Sequence, residues 1–327
     1  MKIKALLTIP TILTLGASPL FAAFTFIVEG GPGGQNSSSY YDTGFAASTG
    51  TDTAAGCTAT GTRYSGTGTY FGPSRYAQAS YTPTMSGYYE VDLSWPSTAG
   101  QISTAVNLYT GSATGGGADR WGNTGSPAGV LVSGTMNMYY VNVSTWVPFT
   151  TYQLNSGTTY KVGIYGGYKT PYAGGVTPAD ANANRVAIGG FRFMAATPVG
   201  VSYSGPANHA TGIGTAAGNQ VTGVSLGWAA GNYDSFYNVW FGTSAGSLTE
   251  IGTGLGAATL SLNLDSQNLQ GGTEYFWRVD AGNVDAPLAT GTVFDFTTVM
   301  VPEPSTATLS LLGGLGLAVW NSRRRTA

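Results

Sequence analysis

From Gly87 to Pro96 the chain alternates strictly: Tyr89, Val91, Leu93 and Trp95 fall on one parity, and Tyr88, Glu90, Asp92 and Ser94 on the other. Successive side chains of an extended strand point to opposite faces, so a period of two puts the first set on a buried face and the second on the opposite one. The same signature recurs along the chain, and no long helical periodicity appears between residues 24 and 299. A chain patterned in this way buries its apolar residues by stacking sheets.

Further strands are expected at Phe24 to Val28, Arg75 to Tyr81, Ala105 to Tyr109, Met138 to Val143, Trp146 to Leu154, Thr159 to Tyr165 and Arg185 to Phe193. After a connection at Ala196 to Pro206, which leads into a short strand, a second set follows. It comprises Val221 to Trp228, Phe236 to Phe241, Leu260 to Leu264, Tyr275 to Val279 and Thr292 to Phe296. The spacing of strands and glycine turns predicts a sandwich. The fold class expected is therefore all-β, with two β-sandwich domains in tandem over residues 24–195 and 196–299. No fixed-period repeat marks a solenoid. Cys57 is the single cysteine, so no internal disulfide can form and the cores must hold the fold alone. In its Thr/Ala/Gly-rich surroundings, Cys57 reads as a small buried hydrophobe.

Both ends read as processing segments. Lys2 and Lys4 precede an apolar run from Ala5 to Leu15, with small residues at Ala22 and Ala23, the pattern of a secretory signal peptide over residues 1–23. At the other end, Val301-Pro302-Glu303-Pro304-Ser305 is followed by the apolar run Ala307 to Trp320 and then by Arg323, Arg324 and Arg325. The prolines hold the backbone extended, the run is shorter than the roughly 20 residues of a stable span, and the arginines favour the cytoplasmic side. This describes a short hydrophobic helix that stops in a membrane temporarily.

That tail resembles the PEP-CTERM sorting signal of bacteria that secrete exopolysaccharide. The resemblance implies processing near the Pro-Glu-Pro motif by an exosortase-type transpeptidase. The body would then be delivered to the cell surface or extracellular matrix. Residues 24–195 resemble the golvesin-like domain, also found as the C-terminal module of some xanthan lyases. The residues carrying this are Tyr70-Phe71-Gly72, Tyr81-Thr82-Pro83, Gly87 through Pro96, Trp146-Val147-Pro148-Phe149, Gly157 through Val162 and Arg185 through Phe193. The chain departs from that pattern over the Gly-rich stretch Asp119 to Val143 and at Ala181-Asn182-Ala183-Asn184. The resemblance implies a β-sandwich accessory module, often beside carbohydrate-active domains. Residues 196–299 resemble fibronectin type III, through Ser225 to Trp228, Tyr237 to Gly242, Leu269 to Val279 and Phe294 to Thr298. Leu269, Thr273 and Tyr275 match the tyrosine-corner spacing. Gly271 replaces the usual proline, which is expected to loosen that turn. This resemblance implies a spacer or binding module.

Charge narrows the partners. Residues 24–299 hold 8 basic and 14 acidic side chains, a net −6 with no basic stripe, which argues against nucleic acid. Residues 24–195 balance at seven of each sign, whereas residues 196–299 carry seven acids against Arg278 alone. With one histidine, His209, and one cysteine, no zinc site of ordinary ligands can be assembled, and no Gly-Lys pair exists for a P-loop. Gly242-Thr243-Ser244-Ala245-Gly246 fits the nucleophile-elbow pattern, but that motif needs a strand, a sharp turn, a helix and a later histidine. Here His209 comes first. Glu90 and Asp92 share a strand face and could form a glycosidase pair, or simply a solvated face. Asp180, Asn182 and Asn184 alternate oxygen ligands as a calcium loop begins, yet Arg185 stands where glycine is wanted. No cofactor is expected.

Aromatic side chains are the remaining binding candidates, because sugar rings stack on them. Trp95, Trp228 and Trp277 take core parity. Trp240, Phe276 and Arg278 take the opposite parity on neighbouring strands and are expected to form an outward patch, free or partly covered. Trp121 sits in the long polar loop. The expected function is a non-catalytic, exported surface or matrix protein, structural or glycan-interacting. The rivals are a polysaccharide-active lyase or glycosidase, and a spacer-adhesin that contacts other surface proteins.

Overall fold

A computed structural model describes residues 24–65, 76–96, 103–110, 129–138, 144–165, 186–284 and 286–301. Residues 1–23, Trp121, Asp180, Asn182, Asn184, and the tail from Pro302 through Arg325 lie outside them. Among the described residues the regular structure is strand, relieved by short 3₁₀ turns at Ser37–Ser39 and Asp265–Gln267.

The first twelve strands are β1 (Thr25–Glu29), β2 (Tyr40–Thr43), β3 (Ala46–Ser48), β4 (Thr62–Tyr64), β5 (Tyr76–Tyr81), β6 (Gly87–Ser94), β7 (Ser103–Thr110), β8 (Val130–Asn137), β9 (Val147–Leu154), β10 (Tyr160–Tyr165), β11 (Ala187–Ile188) and β12 (Gly190–Ala195). A four-stranded sheet in the order β1-β12-β6-β9 accompanies a five-stranded sheet in the order β2-β5-β10-β7-β8, with a small sheet β11-β4-β3 beside them. One hydrophobic cluster joins the two larger sheets. Tyr89, Val91, Leu93 and Trp95 supply it from β6, Val162 and Ile164 from β10, and Phe191 and Phe193 from β12. Each such side chain contributes roughly 1.5–3 kcal/mol by leaving water.

Two features of this sandwich depart from expectation. The strand expected at Met138 to Val143 lies, after Met138, outside the described residues, and β8, inside the Gly-rich departure, is a strand that was not expected. Val132 and Met136 pair there with Leu108 and Thr104 of β7. Gly134 makes the position possible, since a Cβ there would stand 2.9 Å from the Phe149 ring. The polar face of β6 is also not simply solvated, because Asp92 and Ser94 are fully buried.

The second sandwich is built from β13 (Ser202–Gly205), β14 (Ala210–Ile213), β15 (Thr215–Ala217), β16 (Gln220–Thr222), β17 (Ser225–Ala229), β18 (Phe236–Gly242), β19 (Thr249–Gly256), β20 (Ser261–Asn263), β21 (Glu274–Gly282) and β22 (Phe294–Thr298). The sheets run β13-β17-β20 and β14-β22-β21-β18-β19, with β15 and β16 as a separate ribbon. Trp228, Tyr237, Val239, Phe241, Trp277 and Phe296 share its own core. The segment Val221 to Trp228, read as one strand, is two. Gly223 breaks it at φ 71°, a conformation that glycine reaches without steric cost. The tyrosine corner is present, as Tyr275 Oη accepts the Gln270 N–H at 2.8 Å. A matching bond in the first sandwich runs from the Asn155 N–H to Tyr160 Oη at 2.9 Å.

The sandwiches meet at a polar joint. Asn283, fully buried, accepts the Tyr88 N–H at 2.9 Å and donates to the Tyr88 carbonyl at 2.8 Å. A further donation reaches the Ala196 carbonyl at 2.6 Å. Its amide thus does for Tyr88 what an adjacent strand would do. Val284 packs into the core of the first sandwich.

Candidate functional site

Strand register brings together a groove that no single stretch of sequence announces. Pairing of β6 with β9 sets Tyr88 opposite Gln153 and Tyr89 opposite Tyr152. The end of β7 and the starts of β8 and β10 close round the same place. The resulting cavity, about 500 Å³, is lined by Tyr88, Thr110, Leu131, Thr151, Tyr152, Gln153, Asn155 and Tyr160. Rings, hydroxyls and amides make up nearly the whole wall, and no lining residue is charged. Gln153 and Asn155 are exposed, while Tyr160 is buried with its hydroxyl held by the Asn155 amide. A groove that offers flat apolar faces between paired donors and acceptors suits an uncharged polyhydroxylated chain.

The expected outward patch of the second sandwich exists, partly covered. Trp240 lies directly across from Arg278, and Phe276 across from Gly242 on one side and Asp295 on the other. All three named side chains are half-buried. The Arg278 guanidinium stands over the Trp240 ring at 5.1 Å and pairs with Asp280, its Nη2 donating to Oδ2 at 3.1 Å. Trp240 Nε1 is buried without a hydrogen-bond partner. One face of this indole is therefore occupied by a cation and its polar edge is turned away from solvent. The groove is the better formed of the two surfaces.

A third cluster holds the buried carboxylates. Arg192 on β12 bonds Asp92 through Nε at 2.6 Å and Nη2 at 2.5 Å, and its guanidinium stacks on Trp146 at 4.9 Å. Burial pushes the Asp92 carboxyl up to about 7; Arg192 opposes that shift and Glu90 adds to it. Asp52 accepts Ser94 Oγ–H at 2.6 Å and the Ala54 N–H at 3.0 Å, and burial raises its carboxyl too. Glu29, fully buried at the end of β1, accepts the backbone amides of Gln35, Thr58 and Ala59. These acids fasten the loops over the outer face of the four-stranded sheet. Cys57 lies among them; burial first, then Asp52 and Glu29, push its thiol far above the usual range. No group of metal-ligating side chains that could hold an ion occurs among the described residues.

Other motifs resolve locally. Gly242 to Gly246 forms the turn from β18 into β19, strand to strand, so Ser244 is not carried on an elbow. His209 precedes β14 and pairs through Nδ1 with Asp295 at 2.7 Å. Val301, the first residue of the tail motif, packs against the second core beside Gly271.

No family model matches the sequence, and no curated protein matches it. Among solved structures, the chain is similar to a xanthan lyase from Paenibacillus, at 16% identity and TM-score 0.33, over 52% of this chain and 13% of that one. It is also similar to a GH26-CBM35 β-(1,4)-mannanase from Podospora anserina, at 13% identity and TM-score 0.31, over 58% of this chain and 30% of that one. The sixth fibronectin type III domain of a human protein matches at 21% identity and TM-score 0.22, over 31% of this chain and 96% of that domain. The chain thus spans less than a third of the length of either enzyme.

Proposed function

We propose that the chain is an exported, non-catalytic protein that binds polysaccharide through the groove on the first sandwich. Its tail, Val301 to Arg325, delivers it to the cell surface or exopolysaccharide matrix with an exosortase-type transpeptidase as partner. The observation that carries the binding reading is the lining of the groove: Tyr88, Tyr152 and Tyr160 together with Thr110, Thr151, Gln153 and Asn155, and no charge. The test is affinity electrophoresis of the full chain through gels containing a neutral galactomannan or an anionic xanthan. Retardation of the wild type, abolished in both Tyr152→Ala and Gln153→Ala, is the expected result. A wild type that neither polymer retards, or variants that migrate as the wild type does, would overturn the reading.

Catalysis is the second reading, favoured by the raised Asp92 carboxyl. That carboxyl is fully buried against Arg192, where no substrate reaches it, so the binding reading is preferred. Release of reducing ends or unsaturated products from either polymer, lost in Asp92→Asn, would reverse that preference.

A further inference from the structure

The groove does not end at the boundary of the first sandwich. Tyr88, which lines it, has its ring 5.8 Å from the ring of Tyr233 on the second sandwich. Tyr233 is 36% exposed, among the few large apolar side chains of the described residues that face water. Its backbone sits at φ 67°, a region that bulky residues seldom enter and that persists only where the surroundings enforce it. Here they do. The Asn232 carbonyl accepts the Val199 N–H at 3.0 Å, and Asp234 Oδ2 accepts the Gly231 N–H at 2.8 Å. The next residue, Ser235, donates to Asn283, the residue that also holds the Tyr88 backbone. The two rings are therefore positioned by one hydrogen-bonded joint.

Building on the polysaccharide-binding reading, we infer that the site is composite. Tyr88 and Gln153, paired on one face of β6 and β9, form its first part, and Tyr233 continues it across the joint, so that the ligand is an extended polysaccharide chain seated on both sandwiches. In this arrangement the second sandwich is part of the binding surface, and Asn283 is a positioning residue that sets the spacing of its two halves. A short oligosaccharide fills the groove alone, whereas a long one gains the added contact with Tyr233.

The experiment takes whichever of galactomannan and xanthan retards the full chain more, cuts it into fragments of defined length, and measures their affinity by calorimetry. The variant is Tyr233→Asn, since asparagine tolerates a left-handed backbone and removes the ring without harming the fold. An unchanged thermal midpoint checks that. The inference expects Tyr233→Asn to weaken long fragments about tenfold, the size of one lost aromatic contact, and to leave the shortest unchanged. If Tyr152→Ala and Gln153→Ala lose binding while Tyr233→Asn binds every length as the wild type does, the composite site is wrong and the groove stands. If no polymer is bound, or the groove variants bind normally, the underlying reading falls and the composite site falls with it.

Discussion

Asp92 carries the clearest consequence at the scale of a single residue. Its ordinary carboxylate value is 3.8, and in the folded chain burial lifts it to about 7 against the pull of Arg192. Between those values the folded state holds a proton that the unfolded chain has released. Stability is therefore fully present below pH 3.8 and falls as pH rises toward 7. The loss from this one group is at most about 4 kcal/mol. Asp92→Asn removes the titration, so urea midpoints measured from pH 4 to pH 8 should decline less in the variant than in the wild type. Asp52 shifts in the same direction but is common to both proteins and cancels. An equal decline would mean that the Arg192 pair keeps Asp92 ionised throughout. The sequence placed Asp92 on the polar face of its strand, which is correct. It could not reveal that Arg192, a hundred residues later, and Trp146 would close over that face.

Among the elements, the strands whose pattern was local were legible and those that depend on a partner were not. In β18 and β21, alternation alone put Tyr237, Val239, Phe241, Tyr275, Trp277 and Val279 in the core and left Trp240, Phe276 and Arg278 on the other face. By contrast β14, Ala-Thr-Gly-Ile, carries no strand signal and exists because it pairs in parallel with β22. The groove was illegible for the same reason, since its wall comes from five strands whose register is set by the whole sandwich. Gly271 is a similar case. Read as a loosened corner, it is instead a close approach: a Cβ there would lie 2.6 Å from both the backbone nitrogen and Cγ2 of Val301. Proline at a compatible turn position usually stabilises by about 0.4–1 kcal/mol. Here Gly271→Pro should destabilise, by roughly 1–3 kcal/mol, because the segment after β22 must move. A thermal midpoint below that of the wild type is expected. A midpoint above it would show that Val301 yields freely.

For the molecule as a whole, the question is whether two sandwiches with separate cores behave as two units or one. Sequence spacing alone, with a connection at Ala196 to Pro206, suggests two units. The joint argues otherwise. Asn283 is buried and makes two hydrogen bonds to Tyr88 of the first sandwich and one to Ala196 of the connection, Val284 belongs to the first core, and Gly87 leaves room where a Cβ would meet Val284 Cγ1 at 2.6 Å. Unmaking that contact strands the Tyr88 amide and the Ala196 carbonyl, at roughly 1–3 kcal/mol for each buried group left without a partner, while the Tyr88 carbonyl keeps the Ala196 N–H. Coupling of this size is comparable to a good part of one domain's stability, so the sandwiches should unfold together. Calorimetry of the wild type is expected to give a single transition. Asn283→Ala, which removes the hydrogen bonds and leaves both cores intact, should divide it into two, the lower belonging to the sandwich that depends more on its neighbour. Two transitions already present in the wild type would make the joint a passive contact, and Tyr88 and Tyr233 could not then be held in register.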